Sequence, residues 1–373
     1  MRKKAWRIYI IGYGLQVTGW VSALVAAPFL ALRSGPGWVA VGASLGILPR
    51  LLAPLLDRWL RRSLVARLMV SETLAAIVLL AATLTATNYP GWAAVLVYLA
   101  AGAVNALEGI ASPQLVAAWT KECDWTQANA LLAALGMGLP LAAWPLAGAA
   151  SQLWGLNVIL IAAASLYAAR ALWLALAVDV HTPMQQNTYG IPRGFGVLKD
   201  LWALGLVILA AFLLLGYLQV KVPTLLEEWR LGPSAFGTYG ATFSSGMLTG
   251  AVLVWKLGTR RERTVLVAAL TSMLAGSLNL AWPDGIRLYT GAALLGAGFA
   301  GLQAAGTTLL QRRLGGNSLG ATVAAISGAS AATMVTGAIL AGVLTETWNS
   351  SVPVVVAVFV LVALIGGVRT PQI

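Results

Sequence analysis

Apolar runs of about twenty residues follow one another along this chain with only short polar turns between them, and that pattern constrains the fold more than any other feature. At 1.5 Å per residue, about 20 residues cross a hydrocarbon core roughly 30 Å thick. The longest polar stretch is DVHTPMQQNTYGIPRGFGVL, residues 179–198. Everywhere else charge comes in brief bursts between apolar segments. Charged residues make up 10% of the chain and hydrophobic ones 59%, against about 25% charged in a soluble domain. A polytopic membrane protein is the only class that accommodates this pattern.

The runs place six spans before residue 179, at about 9–32, 38–56, 64–86, 92–112, 128–150 and one ending near 178. Turns such as Gly35-Pro36-Gly37 and Asn88-Tyr89-Pro90-Gly91 separate them. Six more are expected near 200–222, 235–257, 264–282, 286–310, 319–344 and 350–368. The turn Trp282-Pro283-Asp284-Gly285 divides the ninth from the tenth. The expected organisation is a six-helix bundle over residues 1–178, a cytoplasmic linker over 179–198 and a second six-helix bundle over 199–373. Each half carries a basic loop between its second and third helices, Asp57 to Arg67 and Lys256 to Arg263, so the halves read as parallel repeats of one layout. The fold class is therefore an all-α membrane protein of twelve transmembrane helices in two pseudo-symmetric six-helix bundles. Most Lys and Arg fall on one side of the membrane once the spans are placed, which puts both termini in the cytoplasm. The lean loops suit a bacterial inner-membrane protein.

Several functions are excluded. The net charge of +12 is spread over cytoplasmic loops, so no nucleic-acid-binding patch is left. Cys123 and His181 are the only cysteine and histidine, which removes disulfides, thiolate metal sites and imidazole chemistry inside the membrane. Neither a P-loop nor a Ser-His-Asp or H-E-x-x-H arrangement occurs, so the chain reads as neither an ATPase of that type nor an enzyme. No cofactor or metal is expected. The N-terminal MRKKAWRIYI leads into a run longer than a signal-peptide core, without an A-x-A-like site, and reads as a retained helix.

The stretch LLAPLLDRWLRR, Leu51 to Arg62, ends an apolar helix in Asp57, Arg58, Arg61 and Arg62. With this motif the chain resembles the major facilitator superfamily over essentially its whole length. The family's loop signature, G-x-x-x-D-R-x-G-R-R/K, is matched at the charged positions, while its two glycines are Ala53 and Leu60 here. The resemblance implies a cytoplasmic gating role for Asp57, Arg58, Arg61 and Arg62. In helix four, Asn105-Ala106-Leu107-Glu108-Gly109 stands where the family has R-x-x-Q-G; the arginine is absent, so its proton role does not carry over. Trp144-Pro145-Leu146-Ala147-Gly148 is similar to the helix-five G-P-x-x-G antiporter motif, retaining Pro145 and Gly148. Pro113-Gln114-Leu115-Val116 and Gln127-Ala128-Asn129-Ala130-Leu131 resemble the bacterial drug- and siderophore-exporter branch.

Four ionisable residues lie inside the N-terminal spans: Arg50, Glu72, Glu108 and Arg170. Each costs roughly 2.5–3.5 kcal/mol at mid-bilayer on insertion scales and needs a partner or water. Their helix positions put all four at a similar depth, as either a structural ion-pair cluster or a titrating centre. Burial raises a carboxyl pKa and a neighbouring arginine lowers it, so alternation between those surroundings would drive proton exchange. Glu108 is the first candidate coupler because Asn105 and Ser112 share its helix face; Glu72 is the second, with Arg50 and Arg170 as charge partners. Tyr9, Tyr13, Gln16 and Trp20 form a stripe at i, i+4, i+7 and i+11, which the resemblance places on a cavity-lining helix. Asn105, Tyr217, Gln303 and Thr307 complete the candidate substrate cavity, and Lys221 reads as a snorkelling interfacial lysine. Together these imply a monomeric, lipid-embedded secondary transporter that exports a small organic molecule, drug-like or siderophore-like, by proton-coupled antiport. An importer, a facilitator and a lipid flippase are the alternatives.

Overall fold

The computed structural model describes residues 2–52, 64–119, 125–176, 202–257 and 262–344, and within them leaves some side chains undescribed, the longest stretch being 304–327. The gating motif Asp57–Arg62, the linker 179–198 and the twelfth span at 350–368 lie outside these residues. Among the described residues the chain forms ten α-helices and no strand: α1 (Arg2–Leu32), α2 (Pro36–Leu51), α3 (Leu64–Thr85), α4 (Pro90–Trp119), α5 (Trp125–Trp154), α6 (Leu156–Ala175), α7 (Trp202–Glu228), α8 (Gly232–Leu257), α9 (Glu262–Ala281) and α10 (Gly285–Val343). Seven of these are long and apolar enough to cross a membrane. Large apolar side chains stand fully open on their outer faces, Leu84, Leu172 and Ile286 among them. That surface is tolerable only against lipid, and the chain is a multi-pass membrane protein.

Local chemistry sets the helix ends. Pro36 opens α2, where its fixed φ suits a first turn and its missing N–H would be unpaired anyway. Asp284 caps α10 by accepting from the Arg287 backbone N–H at 2.7 Å. One residue, Gly155 at φ 88°, separates α5 from α6, so the short link from Ser151 to Gly155 that the apolar runs place between the fifth and sixth spans shrinks to a single left-handed position that favours glycine. Trp38 and Trp92 meet edge-to-face at 5.3 Å beside the turns that open α2 and α4, a position typical of an interfacial belt.

Two further expectations change. Residues 286–310 and 319–344 were expected as separate spans but form one helical run, the 59-residue α10. Gly315 and Gly316 weaken a helix by about 1 kcal/mol each, yet no proline is present there to remove a backbone donor. If straight, the run would be about 90 Å long, enough for two crossings. Its early and late portions touch different helices: Ala293 and Ala297 lie against Gly246 and Gly250 of α8, and Met334 lies against Gly216 of α7. Also, α7 continues to Glu228, six residues past its expected end, with Glu227 and Glu228 exposed in its last turn.

The chain divides into two compact units, Met1–Asn187 with Val222–Gly237, and Thr188–Lys221 with Thr238–Ile373. In the first, α1 packs against α2, α4, α5 and α6, while α3 packs against α4 and α6. Small residues set the spacing. A Cβ on Gly102 of α4 would lie 1.8 Å from the Gly46 carbonyl oxygen of α2, so those backbones touch. Phe236, at the start of α8, stacks on Phe29 and Trp144 within the same unit. In the second unit, α9 packs along α10, and Phe212 of α7 meets Phe299 of α10 at 5.2 Å.

Candidate functional site

The buried face of α6 carries Ala163, Ala164, Tyr167, Arg170, Ala171 and Leu174. Arginine here keeps its charge, since no side chain of its kind is deprotonated in a protein. Arg170 is fully buried, and its planar fork meets two carboxylates: Nη1 donates to Glu72 Oε1 on α3, and Nη2 donates to Glu108 Oε2 on α4. On the other side of Glu108, the Tyr9 hydroxyl of α1 donates to Oε1. Four helices therefore each give one side chain to a single linked cluster, and all four side chains are essentially sealed from solvent.

Aromatic and aliphatic packing holds this centre. Tyr9 stacks near Trp6 at 5.8 Å and meets Trp119 edge-on at 5.9 Å. Trp173, one turn beyond Arg170, donates its indole N–H to the Ile8 carbonyl at 2.9 Å and ties α6 to α1. Leu68, Leu107, Ala111, Leu115 and Leu174 belong to the same buried cluster as Tyr9. In such apolar surroundings an uncompensated charge is expensive, so the charge count matters.

That count is uneven. Two acids meet one base, so the triad is net −1 when all three groups are ionised and neutral when one carboxyl holds a proton. The expected fourth member does not join: Arg50 sits half-buried near the end of α2, and no ion pair links it to Glu72 or Glu108 among the described residues. Glu108 has both oxygens engaged, by Tyr9 and by Arg170. Glu72 Oε2, Arg170 Nε and the Tyr167 hydroxyl are buried without a hydrogen-bond partner.

The other candidates scatter. Tyr9 and Gln16 are buried inside the first unit, and Tyr13 and Trp20 are half-buried. Asn105 is half-buried one turn before Glu108, and the adjoining Gly109 opens onto free space. Tyr217 is buried, Gln303 is exposed, and the side chain of Thr307 lies outside the described residues. Lys221 departs from the snorkelling expectation: it is buried beside the Tyr217 ring and donates to the Leu344 carbonyl at 2.7 Å, because that terminal carbonyl of α10 offers it a partner. Pro145 is half-buried, and Gly148 lies so close to α8 that a Cβ would sit 2.6 Å from the Pro233 carbonyl oxygen. Sequence spacing missed the pairing of Glu72 with Arg170 and the contact from Tyr9 to Glu108. These partners are 98 and 99 residues apart, beyond the reach of any helical periodicity.

No protein-family model and no curated protein matches the chain. Solved structures do. A crystal structure of the nucleoside transporter NupG aligns over 99% of this chain and 100% of its own, with a TM-score of 0.75 at 14% identity. A bacterial homologue of the human lysosomal transporter Spinster, inward-facing and occupied, aligns over 99% and 93%, with a TM-score of 0.71 at 14% identity. An inward-facing bacterial homologue of the iron transporter ferroportin aligns over 98% and 97%, with a TM-score of 0.71 at 16% identity. The chain has the all-α fold of the major facilitator transporters.

Proposed function

We propose that this chain is a secondary transporter that exports a small organic molecule by alternating access, in exchange for protons. One observation supports the coupling: a buried cluster of two carboxylates around a single guanidinium, one acid more than the base balances. Such a cluster sits in two states one charge apart. A rearrangement that alters its packing shifts the balance between them, and this is what converts a proton gradient into work. The transporter fold supports the same reading, since the solved structures that share it are named as a nucleoside transporter and as homologues of a lysosomal and of an iron transporter.

The cargo class follows from the rest of the chain. Aromatic and neutral hydrogen-bonding groups (Tyr13, Trp20, Asn105, Gln303) suit a bulky organic molecule, and the exporter-like runs in helices four and five support outward movement. Metal cargo is disfavoured by chemistry, since no cluster of three or more His, Cys, Asp or Glu occurs among the described residues.

The test is reconstitution in liposomes with a pH-sensitive dye inside, using ethidium and tetraphenylphosphonium as aromatic cargo. Cargo movement accompanied by opposite proton movement supports the proposal. Cargo movement without proton movement makes the chain a facilitator and leaves the triad as structure.

A further inference from the structure

We infer that Glu72 is the carboxyl group that gains and loses the proton, while Glu108 is the fixed anion that holds Arg170 in place. This rests on the proton-coupled reading above and assigns its carrier. Sequence position alone favoured Glu108; the geometry of the triad favours its neighbour.

The argument is one of hydrogen-bond inventory. A carboxylate accepts at both oxygens, whereas a carboxylic acid donates from one of them. Glu108 already accepts at both, from the Tyr9 hydroxyl at Oε1 and from Arg170 Nη2 at Oε2. A proton arriving there must land on an oxygen that already accepts a bond and weaken that bond, and Tyr9 is fully buried with no exposed surface on which to find another acceptor. Glu72 accepts from Arg170 at Oε1 only, and its Oε2 is buried with no donor. When a proton binds at Oε2, the new O–H bond forms there and the Arg170 contact at Oε1 stays. On release, the proton leaves to water and the electron pair remains on the carboxylate. Protonation thus uses a vacant oxygen at Glu72, whereas at Glu108 it falls on an oxygen whose charge-assisted bond it weakens.

The surroundings of Glu72 agree. The elements packed against α3 are α4 and α6. They bring Arg170 and, through it, Glu108 to Glu72, and α6 also carries Tyr167, three residues before Arg170, its hydroxyl buried and without a partner. From α1, Tyr9 and Tyr13 approach on the Glu108 side. On α3 itself, Ser71 and Thr73 turn their hydroxyls to the Leu68 and Met69 carbonyls, and Arg67 sits about 140° around the helix. Among the described residues, the Tyr167 hydroxyl on α6 is likewise buried without a partner, and its ring lies against Gly19 of α1.

The experiment is infrared difference spectroscopy on the full chain in lipid nanodiscs, following the C=O stretch of a buried carboxylic acid as the pH falls from about 9 to about 5. The wild type is expected to gain one such band. Glu72→Gln is expected to lose it, and Glu108→Gln to keep it. Glu72→Asp, which retains a carboxyl on a shorter stem, should restore a band at a displaced frequency, so the assignment survives a poorly folding Gln variant. A band retained in Glu72→Gln and lost in Glu108→Gln overturns the inference, as does a wild type with no titrating band. Should the band behave as expected while ethidium moves in liposomes without protons, the coupling reading fails and Glu72 remains the titrating group.

Discussion

Replacing Arg170 by Met removes the one cation of a sealed cluster and tests the physical basis of the whole site. The side chain is fully buried and holds two carboxylates, themselves 0% and 4% exposed. Breaking one buried ion pair costs about 3–5 kcal/mol, because the surviving charge is left uncompensated. An upper limit comes from neutralising the carboxylates instead: for a group with the ordinary glutamate pKa, protonation at pH 7 costs about 3.7 kcal/mol. Two of them bring the ceiling to about 7 kcal/mol, a large part of the 5–15 kcal/mol that holds a typical domain together. Thermal unfolding of purified protein, followed by size-exclusion after heating, should therefore show a fall in Tm of about 4–9 °C. Lowering the pH should relieve it, since protons then remove the uncompensated charges. Adding Glu72→Gln and Glu108→Gln to Arg170→Met should recover most of the loss, as neutral replacement of an entire buried cluster is far cheaper than breaking it. If Arg170→Met alone melts within about 2 °C of the wild type, or if the triple variant recovers nothing, the cluster is not the buried, charge-imbalanced centre described here.

Three further outcomes are expected. Tyr9→Phe deletes a hydrogen bond to a buried carboxylate and should cost about 1.5–3 kcal/mol in thermal unfolding, with the Phe ring keeping the Trp119 contact; no measurable cost would mean that the hydroxyl is not engaged. Gly102→Ala should destabilise by about 1–3 kcal/mol or more because its Cβ would meet the Gly46 carbonyl, whereas Gly138→Ala, where no atom lies within 4 Å, should melt like the wild type. Asp284→Ala removes an exposed N-cap and should cost about 1 kcal/mol, read by the same unfolding assay, with Asp284→Ser close to neutral.

Much of the fold was legible because each early helix is bounded by punctuation that chemistry makes unambiguous. Gly35-Pro36 opens α2, Pro90 opens α4 and Asp284-Gly285 opens α10, all where the polar turns placed them. Where punctuation was soft, the reading slipped. The gap left at 311–318 between two expected spans lies in a helix, and the Ser151–Gly155 link is mostly helix. The site was half legible. Charge in an apolar run marked Glu72, Glu108 and Arg170 as residues in need of partners, and they found one another. Which partner each takes was not readable, because a membrane helix is apolar toward lipid and toward protein alike, so periodicity does not say which face turns inward. Arg50 was grouped with the others on depth alone, and depth does not fix the face or the neighbour.

The central claim is that this cluster exchanges one proton, and counting protons tests it most directly. Purified wild-type protein and the Glu72→Gln/Glu108→Gln double variant would be titrated with acid in unbuffered solution from pH ~9 to ~5, above the range in which exposed carboxylates titrate. The account predicts that the wild type takes up one proton more than the double variant across that window. Equal uptake by the two proteins would mean that the cluster holds its charge throughout, and the case for proton coupling would fall with it.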